Sequence, residues 1–209
     1  MIVKECLLKN FRNYEDIVFK FSEQETIFCG SNGSGKTNIL EALYVLSGIK
    51  SFRVSGDEAL VRWGQDSYYI SAQVQTEQIL SKLEIGYSLR DKKKKVKKDD
   101  TEVNSLGSYF GSLICVALYP GDIQLIEGAP ELRRKYFDRI ISTIDHDYLA
   151  TINEMRKILK IRSALLKQNK SRESFYHWDQ LLAEKFVIVT EKRKSFFSEY
   201  IPLFHYLYQ

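Results

Sequence analysis

The chain has 209 residues, 44% hydrophobic and 28% charged, with a formal net charge of +4. That supports one large domain or a domain plus a lobe, and the mild basic excess permits polyanion contact without demanding it. Cys6, Cys29 and Cys115 show no C-x-x-C spacing and the three histidines no metal-ligand spacing, which excludes a zinc site or disulfide framework as the organising feature.

In chain order, Ile2–Phe11 is predicted as a strand anchored by Val3, Cys6 and Leu8. Val18–Ser22 alternates apolar and polar residues, which predicts a second strand. Thr26–Gly30 is a short continuous apolar run, the pattern of a strand buried on both faces. Leu40, Leu43, Tyr44 and Leu46 then recur at helical spacing. Tyr68–Val74 and Leu83–Leu89 alternate as antiparallel strands with one wet face. The charged run "RDKKKKVKKDD" predicts a solvated hairpin or loop tip. Leu113–Tyr119 is another candidate buried strand, stopped by Pro120 and Gly121.

After Gly128 the texture becomes helical. Pro130 suits a first helical position, because its missing N–H has no partner there anyway. A second helix is predicted from about Asp147 and a third from near Ser174, the latter running through the basic "EKRK". No apolar run reaches the ~20 residues of a membrane span, and "MIVKECLLKNF" is too short and charge-broken for a signal peptide. The expected location is cytoplasmic.

The chemistry concentrates in Gly30, Ser31, Asn32, Gly33, Ser34, Gly35, Lys36 and Thr37, which fit G-x-x-x-x-G-K-[ST]. Glycines open backbone angles closed to other residues, so successive N–H groups converge on an anion. The helix opening at Lys36 adds its positive end. Lys36 would reach the β- and γ-phosphates, and the Thr37 hydroxyl would ligate Mg²⁺. No N-K-x-D guanine-reading motif occurs, which favours ATP over GTP. An apolar strand ending in Asp or Asp-Glu is not found, nor an LSGG-like stretch; Asp138 in "RRKYFDRII" has helical spacing. The chain alone is therefore expected to bind ATP without hydrolysing it.

"LKNFRNYE", "GSNGSGKTNILEALYVLS", "KSFR", "LYPGDIQLIEGAPELRRKYFD", "YLATINEMRKILKIRSALLK" and "HWDQLLAEKFVIVTEKRKSFF" occur in this order. Together they resemble the RecF family of bacterial recombination and gap-repair ATPases. The phosphate-loop block fits many ATPases; the Pro-Gly-Asp to Phe-Asp block is the specific one. The resemblance implies an α/β fold: a P-loop NTPase head related to ABC and SMC heads, with a mixed sheet containing an antiparallel segment, then a helical arm lobe. Residues 1–125 would be the first part of the head and 126–209 the arm, truncated before the signature and Walker B elements.

The resemblance further implies an ATP-dependent homodimer. It would clamp gapped DNA or single-strand/double-strand junctions without sequence preference and hydrolyse ATP slowly. It would act with RecR and RecO in recombinase loading, DNA replication and the SOS response. Arg12, in "FRNY", would lie near the base or α-phosphate, or be a surface strand charge. Arg53, in "KSFR", would lie near the γ-phosphate or DNA, or be a plain exposed arginine. Asp122 or Gln124 would serve the Q-loop role. Candidate DNA contacts are Lys93 and Lys94 in the lysine run, and Arg133 and Arg134; Lys192–Lys194 is expected to be a wet helix face. The alternatives are a P-loop small-molecule kinase or another ABC-type ATPase subunit. The antiparallel segment after the loop argues against the first.

Overall fold

The computed structural model describes residues 1–168 and 173–209. They form two compact units, Met1–Tyr119 and Pro120–Gln209. The division falls six residues before the boundary expected at residue 125.

The first unit is built on an antiparallel sheet of order β2-β1-β3-β4-β5-β6. Its strands are β1 (Ile2–Phe11), β2 (Tyr14–Lys20), β3 (Ser67–Thr76), β4 (Ile79–Ser88), β5 (Lys93–Lys98) and β6 (Thr101–Glu102). Alternation assigns the faces. Cys6 and Leu8, Ile70, Ala72 and Val74, and Leu83 and Ile85 turn inward and are buried. Helix α1 (Lys36–Gly48) covers that face with Ala42, Val45 and Leu46, all fully buried. Val45 and Leu46 each contribute on the order of 1.5–3 kcal/mol, and the Ala42 methyl less. The short helix α2 (Leu106–Tyr109) adds Tyr109, whose buried hydroxyl donates to Leu46 O at 2.6 Å.

Two sequence expectations are corrected here. Thr26–Gly30 and Leu113–Tyr119 are not strands. The apolar runs signal burial, but a strand also needs a neighbour for its N–H and C=O groups, and among the described residues neither run has a ladder partner. Ile27, Val116 and Leu118 are accordingly exposed.

Of the solvated hairpin or loop tip expected for the lysine run, the structure has the hairpin, but one face of it is turned inward. Residues Lys93–Lys98 pair in register with β4, from Leu83 opposite Lys98 to Ser88 opposite Lys93. Val96 is buried, and Lys94 lies on the same face. Lys94 Nζ pairs with Asp57 and donates to Ile49 O at 2.7 Å, at the C-terminal end of α1. A cation there satisfies a carbonyl that the helix leaves unpaired and complements the helix dipole.

The second unit is helical: α3 (Gln124–Glu127), α4 (Pro130–Ile144), α5 (His146–Lys167) and α6 (Glu173–Tyr208). Pro130 opens α4 as its spacing predicts. Asp145 caps α5, accepting from Tyr148 N at 2.8 Å, and pairs with Lys192. Partial burial opposes ionisation of Asp145, but Lys192 and the capping N–H outweigh it and hold the carboxyl below its ordinary value. Asp138 on α4 is buried, receives the hydroxyl of Tyr148 on α5, and pairs with Arg193 on α6 at 2.6 Å. One carboxylate thus ties three helices. Lys192–Lys194 is therefore not simply a wet face. Lys192 and Arg193 hold the bundle together, and only Lys194 is solvated, beside Glu191.

Candidate nucleotide site

Residues Gly30–Thr37 run from the end of the exposed apolar segment into the first turn of α1. Gly30, Gly33 and Gly35 all have positive φ, at 149°, 82° and 103°. That region is sterically open only to glycine without strain. Gly35 is the N-cap of α1, and the first turn of α1 holds no acidic residue. The positive end of the helix is therefore left uncompensated, as an anion site requires. Lys36 Nζ bridges the loop's own carbonyls, Gly30 O at 2.7 Å and Ser31 O at 2.8 Å. The ammonium thus lies across the loop, within reach of whatever the N–H groups cradle. Thr37 is exposed in the same turn.

The β1–β2 turn supports this loop from beneath. Asn13 Nδ2 donates to Ser34 O at 3.2 Å, and Asn38 Nδ2 donates to Asn13 Oδ1 at 2.8 Å. A Cβ at Gly35 would stand 2.6 Å from Asn13 Nδ2 and 2.7 Å from Tyr14 Oη. Gly35 is thus required twice, by its φ and by this close approach.

Beside the loop lies a buried carboxylate that sequence reading missed. Glu41 on α1 is fully buried. Arg12 grips it with Nε at 2.9 Å and Nη2 at 2.7 Å, while Arg12 Nη1 donates to Ala59 O at 2.7 Å. Ser51 Oγ also donates to Glu41. Arg53 Nη1 donates to Asn38 Oδ1 at 2.9 Å and lies 3.5 Å from Glu41 Oε2. Arg12 itself has a φ of 56°, a left-handed conformation that persists only where surroundings enforce it. The sole sequence cue to Glu41 was an acidic residue inside the apolar run from Ile39 to Leu46.

The remaining candidates belong to the second unit or to β5. Gln124 opens α3 in the second unit and is exposed. Arg133 Nη1 donates to Leu125 O, Ile126 O and Gly128 O at 3.0–3.2 Å, capping the carbonyl end of α3. Arg134 is exposed. In β5 Lys94 is committed to Asp57, whereas Lys93 and Lys95 point to the other face and are exposed.

An antiparallel sheet, a glycine loop and a helix opening on Lys-Thr fit the fold of P-loop ATPases. The model of the AAA ATPase domain family matches residues 1–203, and the chain belongs to that family. Within it the likeness is to RecF. The chain is 39% identical over 197 residues to the DNA replication and repair protein RecF of Leptospira interrogans, covering 93% of this chain and 54% of the relative. It is 36% identical over 176 residues to the RecF of Bacillus cytotoxicus, covering 83% and 47%. A solved structure of the recombination mediator protein RecF with ATP, in the RecFOR pathway, superposes with a TM-score of 0.89 at 31% identity, over 94% of this chain and 54% of that one. An SMC head domain from Pyrococcus furiosus shares the fold at 18% identity and a TM-score of 0.53, over 96% of this chain and 58% of that one. The chain spans about half the length of the curated relatives that it matches.

Proposed function

We propose that the chain is the ATP-binding part of a RecF-type DNA replication and repair protein. The observation that carries this is the loop itself: three left-handed glycines, a helix end without a countercharge, and Lys36 lying across the opening. A triphosphate fits that set. Its oxygens would take the main-chain N–H groups and the Lys36 ammonium, and Mg²⁺ would take the Thr37 hydroxyl. Mg²⁺, when bound, neutralises phosphate charge; the chain's own groups bind and orient. No apolar strand ending in Asp or Asp-Glu occurs in the chain, so the reading is one of binding and does not extend to hydrolysis. Calorimetric titration of Mg·ATP is the test. Lys36→Ala is expected to weaken binding about thirtyfold, the worth of charge-assisted hydrogen bonds. Equal affinity in variant and parent would defeat the assignment.

The finer reading follows the resemblance. The whole protein would dimerise on ATP, clamp gapped DNA at single-strand/double-strand junctions, and act with RecR and RecO in recombinase loading and the SOS response in the cytoplasm. Among the described residues no helix is long and apolar enough to cross a membrane. Lys93, Lys95 and Arg134 are the exposed cations best placed to meet phosphates, whereas Lys94 and Arg133 hold the fold. Replacing Lys93 and Lys95 by alanine is expected to flatten the logarithmic salt dependence of DNA binding by about 1.5–2. An unchanged slope would remove these lysines from the DNA contact.

A further inference from the structure

We propose that Arg53 serves nucleotide binding as a positioning residue rather than as a phosphate ligand, through a relay that ends on the phosphate loop. This rests on the reading of Gly30–Thr37 as the nucleotide loop. The relay is continuous on the page. Glu41 is its buried anchor, fixed by Nε and Nη2 of Arg12 and by the Ser51 hydroxyl. Arg53 Nη1 sits between Glu41 Oε2 and Asn38 Oδ1. With its oxygen so engaged, the Asn38 amide presents its Nδ2 to Asn13 Oδ1. Asn13 in turn presents its Nδ2 to Ser34 O, with the same amide packed under Gly35.

The chemistry gives this chain a direction. An amide has one acceptor end and one donor end. Engaging the Asn38 oxygen with a guanidinium fixes which end faces Asn13. That choice fixes which end of Asn13 faces the loop carbonyl. Reversing Asn13 would set oxygen against oxygen at Ser34, and reversing Asn38 would set its oxygen against Asn13 Oδ1 and its NH2 against the guanidinium. The guanidinium therefore selects one rotamer for two amides, and those amides hold the loop backbone. Chains of hydrogen bonds of this kind also polarise one another. Arg12 spends three of its five N–H groups on Glu41 and Ala59 O, so its main engagement is with the protein.

A double-mutant cycle on Mg·ATP affinity separates this from direct contact. Arg53→Ala and Asn38→Ala are each expected to weaken binding about fivefold, the worth of one hydrogen bond. In the Asn38→Ala background, removing the Arg53 side chain is expected to cost nothing further. The melting temperature of the nucleotide-free protein should stay at the parent value in both. Additive losses would show that Arg53 touches the nucleotide itself, and parent-like binding by Asn38→Ala would show that the relay does not act; either result overturns the proposal. If Asn38→Ala melts early, the cycle is repeated with Asn13→Ser in its place, with the same expectation. Lys36→Ala runs alongside. Parent-like binding there sinks the nucleotide loop itself, whereas a Lys36 effect with additive Arg53 and Asn38 losses sinks only the relay.

Discussion

Gly35→Ala is expected to lower ATP affinity about a hundredfold or more, the largest loss from any single methyl group in the first unit. Two costs combine. At φ 103° an L side chain is strained, by about 1–2 kcal/mol. The new Cβ would also lie 2.6–2.7 Å from the Asn13 amide and Tyr14 Oη. Asn13 lies in the β1–β2 turn and Tyr14 opens β2; relief means swinging both side chains aside, which breaks the Asn13 bond to Ser34 O and with it the loop's support. Gly33→Ala is the internal comparison. It carries a similar strain at φ 82° but would meet nothing within 4 Å. Calorimetric titration of the two variants should therefore show a much smaller loss for Gly33→Ala. Matching losses would mean that strain alone matters and that the support beneath Gly35 does not.

Asp138→Ala is expected to be the most destabilising change in the second unit, by about 3 kcal/mol. It strands Arg193, whose Nη2 and Nε both lie on this carboxylate, and removes the acceptor of the Tyr148 hydroxyl. Burial and the bond to Asp138 push the Tyr148 phenol above its ordinary value, so it stays a neutral donor. Against a total of about 5–15 kcal/mol for a domain, the loss is large. Urea denaturation followed by helical circular dichroism reads it directly. Asp138→Asn, which keeps an acceptor oxygen, should recover part of the loss. A parent-like midpoint for Asp138→Ala would mean that apolar packing alone holds α4, α5 and α6.

The phosphate loop was legible because its chemistry is local: eight consecutive residues carry the glycines, the lysine and the threonine. The helices of the second unit were legible for a similar reason, since α4, α5 and α6 each show their own apolar period. What escaped reading depends on partners distant in the chain. Lys94 reads as one lysine among many until Asp57, 37 residues earlier, is folded beside it. Glu41 carries no reading of its own in the sequence until Arg12 reaches it across 29 positions. Thr26–Gly30 and Leu113–Tyr119 failed in the opposite way. Their composition announces burial, yet composition names no ladder partner, and hydrogen bonding rather than apolarity makes a strand. Arg133 adds a third cause: its charge is visible in the sequence, whereas the carbonyls of α3 that its Nη1 meets are not.

β1 runs between β2 and β3, paired along both edges. Its far end delivers Arg12 and Asn13, so the bracket beneath the loop is bolted to an interior plank rather than to a free rim. Such a mount has little compliance: a push from the triphosphate meets two rows of ladder bonds before the bracket can yield. The give in the system must then lie in the crest, around Asn32 and Gly33, where a side chain at Gly33 would meet open space and the chain can mould itself to the guest.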